Sequence, residues 1–207
     1  KHVSPITGAV SKIESLGADA DGVTFSFAAG HNYATVADNL RLLVQNMRGQ
    51  SGGKGRTRQQ AKASAVCEAI ERFSGVWEPT VPAVRSAWRD LDVRAVHPES
   101  VLLFSDAQYE GRSAIKEIDN KFHRIPQRFD ETLPIDFTPG RSLTTGEQVL
   151  VPAGLAWYGT PDLKVHPYAY TDSNGEAAGN TLEEAILQGM CEVCERDAVG
   201  MWWFNRV

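Results

Sequence analysis

Two long segments of helical periodicity repeat one another in register, and this echo limits the possible folds more than any other feature of the sequence. Thr57 to Arg72 reads TRQQAKASAVCEAIER, and Thr181 to Arg196 reads TLEEAILQGMCEVCER. Thr, Ala, Cys, Glu, Glu and Arg recur at matching offsets, and a glycine stands two residues before each threonine (Gly55 and Gly179). The period is far too long for a solenoid. Two halves of one site, each a glycine-rich loop feeding a helix, explain it better. The loops are Ser51-Gly52-Gly53-Lys54-Gly55 and Asn174-Gly175-Glu176-Ala177-Ala178-Gly179-Asn180.

At roughly 100° per residue, Thr57, Gln60, Ser64, Glu68 and Glu71 fall on one narrow stripe of the first helix. Thr181, Glu184, Gln188, Glu192 and Glu195 fall on the same stripe of the second. Most other positions are apolar, among them Ala61, Ala65, Val66, Ala69, Ile70 and Phe73 on one helix, and Leu182, Ile186, Leu187, Met190 and Val193 on the other. An ordinary surface helix has the opposite proportions, and one apolar nearly all round is buried. The polar stripes are therefore expected to face a cavity, a partner or a ligand.

Glu68, Glu71, Glu192 and Glu195 would then lie in low dielectric. There a carboxylate either stays protonated or is met by positive charge. Glu pairs three apart on facing helices resemble carboxylate metal sites inside helical bundles. With no histidine in either stripe the donors are all oxygen, which favours a hard cation such as Mg²⁺ over zinc or copper. Mg²⁺ keeps few protein ligands and shares the rest with phosphates, so a nucleotide is the natural bridging partner. The plainer alternative is a solvated face, which most single Glu pairs on helices are. A twofold occurrence in matching flanks weighs against it.

The rest of the chain is compatible with an ordinary globular protein of mixed α/β class, with antiparallel-rich sheets and packed helices. Of the 207 residues 42% are hydrophobic and 23% charged, with a net charge of -5, which argues against broad binding to nucleic acid or anionic membrane. No apolar run approaches the roughly 20 residues that span a bilayer, and no signal peptide is recognisable. Three cysteines, Cys67, Cys191 and Cys194, fit a reducing cytoplasm better than a disulfide framework. Ala9–Ile13 and Val23–Ala29 read as strands, as do Leu150–Tyr158 and His166–Thr171, whereas 35–48 is ambiguous between helix and strand. Between Glu78 and Phe137 repeated prolines predict short strands, short helices and loops. Lys54, Arg56 and Arg58 cluster where a helix begins, a position that favours anions. Cys191 and Cys194 read as packing residues rather than a redox pair, and Trp202, Trp203 and Phe204 as core. His31 is the histidine with most interest. The chain stops inside its aromatic run without a cap or exit loop, and a fragment is expected.

Gly52-Gly-Lys-Gly55 running into Ser64-Ala-Val-Cys-Glu68-Ala-Ile-Glu71-Arg72, and Asn174-Gly through Gly179-Asn180-Thr running into Glu192-Val-Cys-Glu195-Arg196-Asp197, closely resemble the YcaO domain. Within that family the chain looks most like the cyclodehydratases of thiazole- and oxazole-modified peptide pathways. Ser4-Pro-Ile-Thr-Gly8, Ala29-Gly-His-Asn32 and Trp202-Trp-Phe-Asn-Arg206 also match that branch. The resemblance implies ATP bound through Mg²⁺ without a Walker A loop, and G-x-x-x-x-G-K-[ST] is absent here. It implies metal binding by Glu68, Glu71, Glu192 and Glu195, and nucleotide contacts from Ser64, Asn180, Glu184, Gln188 and Arg196, with Arg72 a weaker candidate. In such enzymes a Cys, Ser or Thr side chain of a ribosomal precursor peptide attacks the preceding amide, and ATP activates the amide oxygen so that an azoline ring forms. A leader-peptide-binding partner protein or domain and a homodimer are further implied. The chain is expected to be the N-terminal part of a single such domain (1–207), inactive alone because the proline-rich C-terminal tail of the family is missing. A thioamide-forming enzyme of the same family, and a scaffold retaining the fold without turnover, are the alternatives.

Overall fold

The computed structural model describes residues 2–17, 22–31, 49–116 and 124–206, and the chain divides into two compact units. The first comprises residues 1–76 and 173–207, the second 77–172.

In the first unit, β1 (Val10–Ser15), β2 (Phe25–His31) and β3 (Gln50–Gly55) form an antiparallel sheet in sequence order, with Ala29 opposite Ser51 and Phe27 opposite Gly53. The first two strands lie close to their sequence-read positions. The first glycine-rich loop does not: Ser51–Gly55 is strand. Its glycines let a helix come close. Helix α1 (Arg58–Ser74) follows directly and lays Ala61, Ala65 and Ala69, all at 0% exposure, against Val10, Phe27 and Ala29. A side chain at Gly53 would run into Ala61 O and Ala65 N, and one at Gly55 would sit 2.7 Å from Ala61 N. Small residues on both surfaces thus set a short helix–sheet distance. Strand alternation turns Ser51, Gly53 and Gly55 to α1 and leaves Lys54 on the other face.

Both long helices start as read and are capped alike. Thr57 Oγ1 accepts from Gln60 N (3.1 Å), and Gln60 Oε1 accepts from Arg56 N (2.8 Å). In helix α7 (Leu182–Asn205), Thr181 Oγ1 accepts from Glu184 N (3.3 Å), and Glu184 Oε2 accepts from Asn180 N (2.8 Å). Each cap satisfies two backbone donors that a helix start leaves orphaned. Gly179 repeats the close approach of Gly55, since a Cβ there would lie 2.5 Å from Ala185 N.

Helix α7 departs from the expectation of burial. Of its residues Gly189 alone is classed as buried, and Leu187, Met190, Val199, Trp202, Trp203 and Phe204 are exposed. Its apolar character is real, but what it rests on among the described residues is the segment at Gly175–Ala177, where Gly189 abuts Gly175 O. The aromatic triplet is therefore surface here, not core. Cys191 and Cys194 are exposed free thiols rather than packing residues.

The second unit carries another antiparallel three-stranded sheet, β4 (Val84–Ser86), β5 (Ile135–Arg141) and β6 (Gln148–Pro152), in that order. Short helices surround it: α2 (Glu99–Leu102), α3 (Asp106–Glu110), α4 (Arg112–Lys116), α5 (Ala153–Ala156) and α6 (Asp162–Val165). Phe129, Ile135, Phe137, Tyr168 and Ala169 form its core. Two strand readings fail here. The strand read over 150–158 stops at Pro152, where α5 begins. Residues 166–171 form no strand: Pro167 has no N–H to give a ladder. Side chains tether the segment instead, with Tyr168 Oη accepting from Gly154 N and Thr171 Oγ1 donating to Gly154 O. The ambiguous stretch 35–48 lies outside the described residues, and so does Asn32.

Candidate functional site

The later positions of the stripes on α1 and α7, but not Thr57, Gln60, Thr181 and Glu184 at the helix starts, look into one cavity of about 560 Å³ within the first unit. Ser64, Cys67, Glu68, Glu71 and Arg72 line it from α1, and Gln188, Glu192, Glu195 and Arg196 line it from α7. Glu176, Ala177 and Ala178 complete the wall. Eight of the ten site residues read from the sequence therefore meet across one hollow. Asn180 and Glu184 do not line it. They bond to each other at the start of α7 (Asn180 Nδ2 to Glu184 Oε2, 3.0 Å), and the hydrogen bonds from Asn180 hold the Glu184 carboxyl below the usual glutamate range.

The segment between Gly175 and Ala178 ties the two stripes together. Gly175 N donates to Glu192 Oε2 at 3.2 Å and Ala178 N donates to Glu71 Oε2 at 2.9 Å. Gly175 has φ +85, and a Cβ on it would press on Val193 Cγ2, so this turn requires glycine on two counts. Each Glu pair thus gives one member to the backbone of the intervening segment.

The four carboxylates are not equally buried. Glu71 and Glu192 have 14% and 19% of their side chains exposed and Glu68 has 35%, whereas Glu195 has 65%. Low dielectric was expected for all four, and Glu195 is a solvated exception at the end of its stripe. Burial pushes the Glu71 carboxyl up to about 7, against the opposing pull of Arg72 and the Ala178 N–H; Glu176 and Glu68 add to the rise. A carboxyl in that condition binds a proton or cation readily. Two arginines supply positive charge. Arg72 reaches Glu176 at 3.2 Å, with Glu68 at 3.7 Å and Glu71 at 3.8 Å, and Arg196 reaches Glu192 at 3.3 Å and Glu195 at 3.9 Å.

Among the described residues no three His, Cys, Asp or Glu side chains converge tightly enough to hold a metal ion by themselves. Oxygen donors on two walls, arginines beside them and room for a nucleotide-sized molecule suit a cation that shares its coordination with phosphate. Of the other residues that the sequence singled out, Cys67 lines the cavity from α1 and His31 lies near Arg72. Arg58 stacks over the Phe25 ring at 5.4 Å, and His31 Nε2 pairs with Ser51 Oγ at 2.6 Å. Sequence reading missed Glu176. The available signal was its standing as the one charged residue in the second glycine-containing loop. It also missed that the backbone of this loop would bind the glutamates, which no side-chain pattern announces.

Two capped helices line a nucleotide-sized hollow with carboxylates and guanidiniums on an antiparallel α/β frame, a lining in keeping with a divalent cation that shares phosphate oxygens. The sequence model of the YcaO family, described as YcaO cyclodehydratase, ATP- and Mg²⁺-binding, matches residues 52–207, and the chain belongs to that family. A heterocyclase solved in complex with substrate and cofactor is 42% identical and superposes with a TM-score of 0.89, covering 100% of this chain and 27% of its own. The heterocyclase TruD is 45% identical with a TM-score of 0.66, over 74% of this chain and 22% of its own. An uncharacterized protein of Methanothermobacter thermautotrophicus is 33% identical over 156 residues, 74% of this chain and 34% of the relative. The chain therefore spans about a third of the length of that curated relative.

Proposed function

We propose that the protein carrying this chain is an ATP- and Mg²⁺-dependent cyclodehydratase, which activates peptide backbone amides to form azoline rings from Cys, Ser or Thr of a ribosomal precursor peptide. The observation that carries the proposal is the convergence of Glu68, Glu71, Glu192 and Glu195 on one cavity lined also by Arg72 and Arg196. Family membership and the likeness to two heterocyclases support it.

In this reading the four glutamates hold Mg²⁺, and Ser64, Gln188, Arg72 and Arg196 contact the nucleotide, with Asn180 and Glu184 at the start of α7 completing the set. When bound, ATP supplies the phosphoryl group that turns an amide oxygen into a leaving group. The residues of this chain position and neutralise: carboxylates on two helices fix cations between them, and guanidiniums offer forked donors to phosphate oxygens. The burial of Glu71 fits this role, because a dication relieves a carboxyl that is costly to ionise alone.

A leader-peptide-binding partner protein or domain would present the substrate, and homodimerisation and a cytoplasmic location belong to the same proposal. Three free cysteines are in keeping with that location. Among the described residues no helix is long and apolar enough to cross a membrane. Calorimetric titration of the full-length protein with a non-hydrolysable ATP analogue, with and without Mg²⁺, tests the proposal. Magnesium-dependent binding is expected, lost in Glu68→Gln and Glu192→Gln. Binding that ignores Mg²⁺, or survives both changes, overturns it.

A further inference from the structure

The second unit offers buried polar groups such as His166, and α7 offers an exposed apolar flank, but the residue whose surroundings assign it a task is Glu176. It sits on the Gly175–Ala178 segment, lines the cavity, and is part-buried with 22% of its side chain exposed. Its Oε2 accepts a hydrogen bond from Arg72 Nη1 at 3.2 Å, across 104 positions of sequence. The guanidinium so held lies 3.7 Å from Glu68 and 3.8 Å from Glu71, in ion-pair range of both.

Arg72 is a neighbour that the glutamates of its own helix would otherwise capture. Glu68 is its i−4 partner, a spacing at which acid and base pair readily on a helix. A guanidinium laid across Glu68 and Glu71 would occupy the oxygens that a divalent cation needs. Drawn to the loop, the same side chain makes its 3.2 Å hydrogen bond to Glu176 and stands 3.7 and 3.8 Å from Glu68 and Glu71, beyond hydrogen-bond length, so that their oxygens keep only longer-range pairing with it. The segment is well placed to anchor this pull, because the N–H groups of Gly175 and Ala178 on either side of Glu176 are bonded to Glu192 and Glu71. Glu176 is thus fixed at both flanks while its side chain reaches Arg72.

We infer that Glu176 is a positioning residue: by holding the Arg72 guanidinium against the Gly175–Ala178 segment it keeps Glu68 and Glu71 open to cations. The inference rests on the metal–nucleotide reading of this cavity, and the residue acts through Arg72, not by direct ligation.

The test is the Mg²⁺ dependence of ATP-analogue binding in the full-length protein, measured calorimetrically on wild type, Glu176→Gln, Arg72→Gln and the double variant. Partners that orient metal ligands typically alter metal affinity by about 10–100-fold. The Mg²⁺ midpoint of Glu176→Gln is expected to rise by about 10-fold or more, with the heat of unfolding unchanged. Glu176→Asp, which keeps the charge, is expected to restore much of the loss. In the Arg72→Gln background the Glu176 change is expected to leave the Mg²⁺ midpoint where it was. An unchanged midpoint in Glu176→Gln overturns the inference. So does an equal shift with and without Arg72, which would make Glu176 a ligand in its own right. Absence of Mg²⁺-dependent binding in wild type would instead defeat the underlying reading of the site, so the two failures are separable.

Discussion

Replacing Gly53 by alanine should cost the protein much of its stability, while the same change one residue earlier should not. A Cβ on Gly53 would collide with Ala61 O and Ala65 N and lie 2.8 Å from Ala65 Cα, all backbone atoms of α1 that no rotamer change can move aside. A Cβ on Gly52 meets nothing within 4 Å. Overpacking a tight interface costs about 1–3 kcal/mol, and a clash with backbone belongs at or above the upper end. Glycine inside a strand is about 0.5–1 kcal/mol worse than alanine, so Gly52→Ala should be neutral or slightly stabilising. For a chain of this size 1 kcal/mol corresponds to roughly 2–4 °C in Tm. Gly53→Ala should therefore melt about 6–12 °C below wild type, and Gly52→Ala at or about 2 °C above it, by differential scanning calorimetry. Helix α1 carries the proposed metal ligands Glu68 and Glu71, so on that proposal Gly53→Ala should also weaken Mg²⁺-dependent nucleotide binding. Equal melting of the two variants would refute the idea that these glycines exist to admit the helix, and would return the segment to the status of a ligand-binding loop.

Other perturbations have defined outcomes. His31 is partly buried against Ser51 and near Arg72, and burial, then Arg72, holds its imidazole below the usual histidine range. The unfolded chain therefore takes up this proton first, and stability should fall as pH drops below about 6.5, a slope that His31→Gln should reduce in urea titrations across roughly pH 5–8. Asp162 is 5% exposed, pairs with Arg85 Nη1 at 2.8 Å and accepts from Asp136 N at 2.6 Å. Asp162→Ala orphans a backbone donor but leaves a half-exposed arginine that water can resolvate, so thermal unfolding should show a loss of about 1–3 kcal/mol. Thr57→Ala and Thr181→Ala each remove an N-cap, and each should cost about 1 kcal/mol by the same measurement.

Helix limits and the facing of two Glu pairs were legible because each rests on periodicity, whereas Thr57 and Thr181, set by the wheel on the polar stripes, proved to be caps. The strand at Gln50–Gly55 was not, since its glycines are chosen for what lies above them and a strand without side chains has no pattern to read. Likewise Tyr168 and Thr171 look like strand residues one at a time, yet Pro167 removes the ladder and their hydroxyls find Gly154 instead. The exposed flank of α7 departs from the rule that a helix apolar nearly all round is buried, since Leu187, Met190 and Trp203 meet solvent among the described residues.

The echo between the helices carries a division of labour that the stripe alone conceals. In both copies the early polar positions are structural: Thr57 with Gln60, and Thr181 with Glu184, close their own helix starts. In both copies the later positions, from Ser64 and Gln188 onward, face the cavity. A glutamate near the helix start and one two turns later thus carry different burdens although they share one face. Glu184 has its oxygen engaged by Asn180, whereas Glu71 and Glu192 give one oxygen each to the backbone at Ala178 and Gly175. Exchange of Glu184 for Gln, which keeps an acceptor for Asn180 N, should therefore disturb stability by no more than about 0.5 kcal/mol. The proposed contact of Glu184 with nucleotide adds a separate expectation, a loss of analogue affinity without a change in Mg²⁺ midpoint. A shift of the Mg²⁺ midpoint in Glu184→Gln would show that the early and late positions act as one metal cluster, and would end the division drawn from the caps.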